Sequence, residues 1–217
     1  MSIKANVIGF LGIETYDLIL YISKLLINLN QEVLIIDNSE TEALTCCIPI
    51  PESLNPKISK INYRHIDFVK ERTSNEYMDD YDFIFVDFGF KTSNKDIKNC
   101  SFIYLVTDKQ QHNILRIQNL KLTQEVYLII KDIIKSENAA YLADNLKENK
   151  INVKQYYCLY YDDADKENMI SLQYNNDIKF KNQSGQLKEL LNQLIIETLH
   201  FNKTEVGQAY KKAKRGA

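Results

Sequence analysis

The sequence predicts an α/β fold, a doubly wound and mainly parallel sheet flanked by helices in three layers. Short apolar runs alternate with segments of helical period along most of the chain. Several of these runs are too short and too rich in β-branched residues for helices, and they are typical of strands buried on both faces. Strands that alternate with helices favour right-handed crossovers and a parallel sheet. The 217 residues suffice for one such core.

The elements follow in order along the chain. Predicted strands cover residues 4–9, 32–37, 60–68, 82–87, 101–107, 125–131 and 153–159. Apolar side chains at helical spacing predict helices over residues 15–30, 113–122, 136–149 and 186–200, with Ser136 as a cap of the third. Residues 39–59 hold all three prolines and predict a long loop, and the acidic stretch 162–165 predicts a solvated one.

Composition limits the function classes. The net charge is -2, which gives no global electrostatic reason to bind nucleic acid. The four cysteines form no C-x-x-C pair, which argues against a zinc site and fits reduced thiols in the cytoplasm. We expect residues 1–201 to form one domain and residues 202–217, ending in KKAKRGA, to be a mobile basic tail. Any membrane contact would be peripheral, at the inner face, through that tail.

Ligands of doubly wound sheets bind where the parallel strands end. Gly9 ends the first predicted strand, and Asp37 and Asp87 end the second and fourth. A carboxylate at such a position can hold a magnesium ion or its waters. It can equally act as a cap for the following loop or helix, and the sequence leaves both roles open.

The chain resembles the ParA/MinD group of P-loop ATPases, which includes the pilus-positioning proteins TadZ and CpaE. The resemblance rests on an N-terminal strand, loop and helix followed in order by EVLIIDNSE, YDFIFVDFGF and CSFIYLVTDKQQHNILRIQNL. It spans most of residues 3–200 in order and spacing. It implies a P-loop NTPase-like fold in which Asp87 matches the magnesium-associated aspartate and Asp37 matches a second strand-end acid.

The phosphate-binding loop departs from that family. The family's K-G-G-x-G-K-[ST] falls on residues 10–16, FLGIETY, and Gly12 alone keeps a motif residue. The other functional positions have changed type: Phe10 and Thr15 stand for lysines, Glu14 for a glycine, and Tyr16 for the magnesium-binding hydroxyl. Ser39 stands at the position of the family's water-orienting aspartate. The resemblance therefore implies a degenerate ATPase loop.

Charge also disfavours a nucleotide at this loop. A phosphate cradle needs converging N–H groups and positive charge. Here two lysine positions are neutral, and Glu14 and Asp17 add two carboxylates nearby. One charge pair at ~4 Å near a surface is worth about 4 kcal/mol. Asp17 has a simpler interpretation as a stabiliser of the first helical turn.

These observations predict a non-catalytic ParA/MinD-like scaffold or positioning protein, on the TadZ/CpaE model for a pilus or secretion-type assembly. No cofactor is expected. Residual cofactor contacts would come from Gly12, Thr15, Asp37 and Asp87. Active members of the family dimerise across this face, so we expect a homodimer or a related protein partner. If exposed, three side chains suit that contact: Leu11, Ile13 and Tyr16.

Two alternatives remain open at this stage. The first is an atypical ATPase that binds Mg-ATP, with Asp37 and Asp87 at the magnesium and Lys109 or Lys91 supplying positive charge. The second is a receiver-like or other flavodoxin-type regulatory domain, which also carries acids at strand ends. Against it, the Asp-Asp pair expected after its first strand is missing, and a receiver is usually about half this length.

Overall fold

A computed structural model of the chain describes residues 4–50, 60–134 and 140–216. Within these ranges one sheet contains β1 (Asn6–Gly12), β2 (Val33–Asp37), β3 (Ile61–Tyr63), β4 (Ile66–Lys70), β5 (Phe83–Asp87), β6 (Phe102–Thr107), β7 (Val126–Ile133) and β8 (Val153–Tyr160). The strand order is β3-β4-β2-β5-β1-β6-β7-β8. All neighbouring pairs are parallel except β3–β4.

The described helices are α1 (Tyr16–Asn28), α2 (Ala43–Cys46), α3 (Gln111–Gln118), α4 (Ala140–Glu148), α5 (Asp163–Asn175), α6 (Gly185–Gln193) and α7 (Lys203–Lys214). A π-helical turn over Leu194–Thr198 continues α6, and 3-10 turns cover Ser74–Glu76 and Lys95–Asn99. No helix in the described part of the chain is long and apolar enough to cross a bilayer.

Strand side chains alternate between two apolar cores, one on each face of the sheet. Phe10 and Tyr104 point to the face that α1, α6 and α7 cover, and their rings lie 4.9 Å apart. Leu11 and Leu105, their neighbours in sequence, point to the face that α3 and α4 cover. Strands buried on both faces therefore give the predicted doubly wound α/β fold in three layers, and that prediction is confirmed.

The predicted strand over residues 60–68 is instead the antiparallel hairpin β3–β4. Arg64 and His65 make its turn with φ of 53° and 67°. Neither residue is a usual signal for a left-handed turn. Apolar alternation continues on both sides of the turn, so the sequence pattern concealed it.

The basic tail is largely helical and packed, which differs from the expected mobile segment. In α7, Val206, Ala209, Tyr210 and Ala213 recur at helical spacing, and all are buried. The Asn202 side chain caps the helix by accepting from the Thr204 N–H at 2.8 Å. The composition of the tail is dominated by the lysines on the other face of the helix. Composition alone therefore does not reveal this short apolar stripe.

Other differences concern helix ends. The expected acidic loop at 162–165 begins α5, because Asp162 accepts from the N–H groups of Ala164 and Asp165. The stretch 39–59 includes α2 and otherwise continues into residues 51–59, outside the described residues. Ser136, the predicted cap of α4, also lies outside them, and described helix begins at residue 140.

Candidate functional site

The carboxyl end of the sheet holds a cavity of about 300 Å³, which we call the loop cavity. Its walls come from the loop after β1, the segment after β2, the turn after β5, and α3. The lining residues are Gly12, Ile13, Glu14, Thr15, Glu40, Thr41, Ala43, Asp87, Gly89, Phe90 and Arg116. Three of the four predicted cofactor residues, Gly12, Thr15 and Asp87, therefore meet here.

Gly12 joins the loop tightly to the sheet. Its φ is 120°, a conformation that L side chains rarely adopt. Its N–H donates to the Gly89 carbonyl at 2.7 Å, and the Ile13 N–H donates to the Val106 carbonyl at 3.1 Å. A phosphate cradle uses loop N–H groups that point at the ligand. In this loop, two such groups already serve the chain's own carbonyls.

Asp17, at the start of α1, forms a buried ion pair with Lys131. The Lys131 ammonium lies 2.9 Å from both carboxylate oxygens and 3.0 Å from the Glu14 carbonyl oxygen. Their side chains are only 4% and 5% exposed. Asp17 also accepts the Leu18 N–H at 2.8 Å, so it stabilises the first turn of the helix as predicted. The ion pair itself was not foreseen.

The second loop carboxylate, Glu14, is also paired. Lys166 on α5 lies 3.0 Å from Glu14 and 3.0 Å from Asp132. Asp17 is therefore matched by Lys131, and Glu14 shares Lys166 with Asp132. The predicted electrostatic penalty on phosphate is smaller than residues 10–17 alone suggested. Neither Lys131 nor Lys166 lines the loop cavity, however.

The cation at the loop cavity is Arg116 on α3, which the sequence reasoning missed. Its guanidinium stacks on the Phe90 ring, 3.6 Å from the centroid. The lysines considered in its place lie elsewhere: Lys91 donates to the Asn38 carbonyl at 3.1 Å, and the Lys109 ammonium lies 6.0 Å from the Tyr141 ring centroid. Neither lysine lines the cavity. Arg116 lies on a mostly polar helix, and its sequence surroundings carry no signal for this position.

Asp37 faces α2 and does not line the loop cavity. Its carboxylate accepts four hydrogen bonds, from the N–H and hydroxyl of Ser39 and from the N–H and hydroxyl of Thr45, at 2.8 to 3.2 Å. The predicted cofactor role of Asp37 is therefore not supported by its position. Its other predicted role, as a cap, fits these contacts. Ser39 is part of the same cap.

Asp87 is 2% exposed and lies next to Asp37 in the β2–β5 register. Burial raises its pKa to about 7, and the nearby Asp37 and Glu40 carboxylates add to this, while hydrogen bonds from the Gly89 N–H and the Thr15 hydroxyl oppose it. A magnesium ion bound at Asp87 would have to displace that proton. Among the described residues, no group of three or more His, Cys, Asp or Glu side chains is placed to hold a metal ion.

Asp87 predicts a pH dependence of stability. Its folded pKa lies above the ordinary 3.8, so between about pH 4 and pH 7 the folded state binds more protons and stability falls as pH rises. Between pH 5 and pH 8 we expect the wild type to lose about 2 to 3 kcal/mol more than Asp87→Asn. Urea denaturation at both pH values measures this. Asp79→Asn, at an exposed position, serves as the control. Equal losses in wild type and Asp87→Asn would contradict the raised pKa.

Two of the three residues predicted for a protein contact, Leu11 and Tyr16, are not exposed as that prediction required. Leu11 is fully buried, because β1 extends to Gly12 and beyond the predicted end at Gly9. Tyr16 is also buried, and its hydroxyl donates to the Met169 carbonyl at 3.1 Å. Ile13 alone of the three is partly exposed, at the rim of the loop cavity.

No protein-family model matches this chain, and no curated protein matches it. Solved structures do. A protein of Borrelia burgdorferi B31 assigned to plasmid partition, with AMPPNP bound, has a TM-score of 0.57 and 14% identity over 96% of this chain and 99% of that one. A ParA family ATPase from Chlorobium tepidum TLS gives 0.56 and 13% over 96% and 98%. The MinC:MinD cell division complex of Aquifex aeolicus gives 0.58 and 11% over 96% and 95%. At these identities the similarity is one of fold.

Proposed function

We propose that this chain is a non-catalytic relative of the ParA/MinD ATPases that acts as a scaffold or positioning protein. One observation carries the proposal. The loop that would hold a nucleotide is closed onto the sheet, since the Gly12 and Ile13 N–H groups donate to the Gly89 and Val106 carbonyls. The structure of similar fold from Borrelia burgdorferi was solved with AMPPNP. A phosphate held by the Gly12 or Ile13 N–H group would have to break those bonds.

The loop cavity also has the wrong charge for a triphosphate. Glu14, Glu40 and the partly protonated Asp87 line it, against the single guanidinium of Arg116. Glu40 lies directly over the turn after β5, where its carboxylate accepts the Phe90 N–H at 3.4 Å. Carboxylates repel phosphate at short range, and burial strengthens that repulsion. The pairing of Glu14 with Lys166 reduces this effect but does not supply the missing lysine contacts.

A scaffold acts through protein contacts. The structures of similar fold include a MinC:MinD complex and proteins of plasmid partition. We propose a homodimer or a related protein partner at the rim of the loop cavity, where Ile13 and Phe90 are partly exposed and Leu115 is exposed on α3. A pilus or secretion-type assembly, as for TadZ and CpaE, is the proposed setting, at or near the inner face of the membrane.

Light scattering coupled to size-exclusion chromatography tests this function. We expect the mass of a homodimer at micromolar concentration, and the same mass with and without Mg-ATP, because the proposed scaffold binds no nucleotide at the loop cavity. A monomer under both conditions, with no partner present, would rule out the homodimer. A dimer that forms only with Mg-ATP would show that the loop cavity works as an ATP switch and would overturn the non-catalytic assignment.

Arg116 supports a second candidate, an atypical ATPase that binds Mg-ATP. It brings a cation to a cavity that Thr15 and Asp87 also line. This candidate predicts that Mg-ATP raises the melting temperature and that Arg116→Gln abolishes the rise. Arg72→Gln is a control that removes the same charge outside the cavity.

A further inference from the structure

A second cavity, of about 250 Å³, lies beside the β3–β4 turn and the end of α7. Five cationic side chains line it from three separate segments: Arg64 in the turn, Lys179 and Lys181 after α5, and Lys214 and Arg215 at the end of α7. Asp177 is the lining carboxylate among the described residues. We call this site the basic cavity.

The positive charges of the basic cavity are mostly unmatched. Asp177 pairs with Arg64 at 2.6 Å and lies 3.9 Å from the Lys179 ammonium. In the described part of the chain, the side chains of Lys181, Lys214 and Arg215 make no ion pair. The lining therefore carries an excess of four positive charges. Positive charges gathered in one cavity raise the local concentration of anions.

The backbone segments that carry these cations are anchored by buried neighbours. Ile178 and Phe180 are buried in the core beneath the sheet, so the alternating Lys179 and Lys181 project outward. Ala213 is buried in the same core and fixes the end of α7. The cations are therefore presented by anchored neighbours, which reduces the ordering cost of binding.

A buried lysine lies within the electrostatic influence of Arg64. Lys24 on α1 is buried, and its pKa is lowered by burial and by the charge of Arg64. An anion in the cavity would relieve this repulsion.

Helix-end stabilisation explains only part of the cluster. Lysine and arginine in the last turn of a helix interact favourably with its carbonyl end, and this accounts for Lys214 and Arg215. It does not account for Arg64, Lys179 and Lys181, which lie outside any helix.

We propose that the basic cavity binds a small ligand that carries closely spaced phosphate groups. Arginine presents a planar fork to phosphate oxygens, and lysine adds mobile point charges. The concave shape and the volume of about 250 Å³ suit a compact polyphosphate. The site is separate from the loop cavity and does not depend on the function proposed for it.

Pyrophosphate is the probe, with sodium chloride of matched ionic strength as the reference. We expect pyrophosphate to raise the melting temperature of the full chain. Lys214→Gln/Arg215→Gln should weaken the dissociation constant measured by calorimetry by about tenfold or more, because two charge-assisted contacts are lost. Lys179→Gln/Lys181→Gln, which removes two cations of another lining segment, should have the same effect. Lys211→Gln/Lys212→Gln removes equal charge from α7 outside the cavity and should keep wild-type affinity.

Three results would overturn the proposal. The first is no rise above the sodium chloride reference in the wild type. The second is equal weakening in the Lys214/Arg215 and Lys211/Lys212 variants, which would show that only net charge matters. The third is co-sedimentation with phosphatidylglycerol vesicles without any response to pyrophosphate, which would assign the surface to lipid headgroups.

Discussion

Lys131→Met is expected to lower the free energy of unfolding by about 3 to 5 kcal/mol, the usual cost of removing one partner of a buried ion pair. The substitution leaves the Asp17 carboxylate buried and without its cation, since the Lys131 ammonium contacts both of its oxygens at 2.9 Å. It also removes the donor to the Glu14 carbonyl, so the loop after β1 should loosen. Urea denaturation at pH 7 measures the loss.

Two variants make this result specific. Asp17→Asn/Lys131→Met removes both charges and should recover part of the loss. Lys154→Met breaks the exposed pair with Glu125 and should have a much smaller effect, because solvent screens exposed charges. If Lys131→Met were no more destabilising than Lys154→Met, the buried pair would not be a structural support of the loop.

Gly12→Ala is expected to cost at least about 3 kcal/mol, or to prevent folding. The φ of 120° disfavours any side chain, and an added Cβ would lie 1.8 Å from the Val106 carbonyl oxygen, which is backbone and cannot move aside. The hydrogen bonds from Gly12 to Gly89 and from Ile13 to Val106 would be displaced with it. Chemical denaturation, or the yield of soluble protein, measures this effect.

Gly207→Ala is the matched control for that substitution. Gly207 lies within α7, and an added Cβ there would meet no atom within 4 Å. Alanine favours a helix over glycine by up to about 1 kcal/mol, so this variant should be slightly more stable. If Gly12→Ala left the free energy of unfolding unchanged, the loop backbone would be able to adopt another conformation. Its N–H groups could then be free to bind phosphate.

Much of the fold follows from local pattern. The run DFIFVD is apolar and β-branched, and it forms the buried strand β5 that ends in Asp87. The helical period of residues 15–30 gives α1, and the acid at the end of β5 lies at the loop cavity as strand-end reasoning predicts. These features depend on residues that are close in sequence, so the local pattern of apolar and polar residues predicts them.

What the sequence did not reveal depends on distant partners. Lys131 lies 114 residues from Asp17, and Lys166 lies 152 residues from Glu14, so counting the charges of the loop alone overstated its negative potential. Leu11 is buried and unavailable for the proposed contact because β1 continues to Gly12, past the predicted end at Gly9. Arg116 reaches the loop cavity through the docking of α3 against the turn after β5, which no local pattern encodes.

The binding of Mg-ATP tests the central claim most directly. Thermal shift and calorimetry should be performed on Lys179→Gln/Lys181→Gln/Lys214→Gln/Arg215→Gln, which removes four of the five cations that line the basic cavity and leaves Arg64 paired with Asp177. The closed loop predicts no heat of binding and no change in melting temperature at millimolar Mg-ATP. A ligand at 100 times its dissociation constant stabilises a fold by ~2.7 kcal/mol. A rise of that order in this variant, abolished by Arg116→Gln, would contradict the account and identify the chain as a nucleotide-binding ATPase.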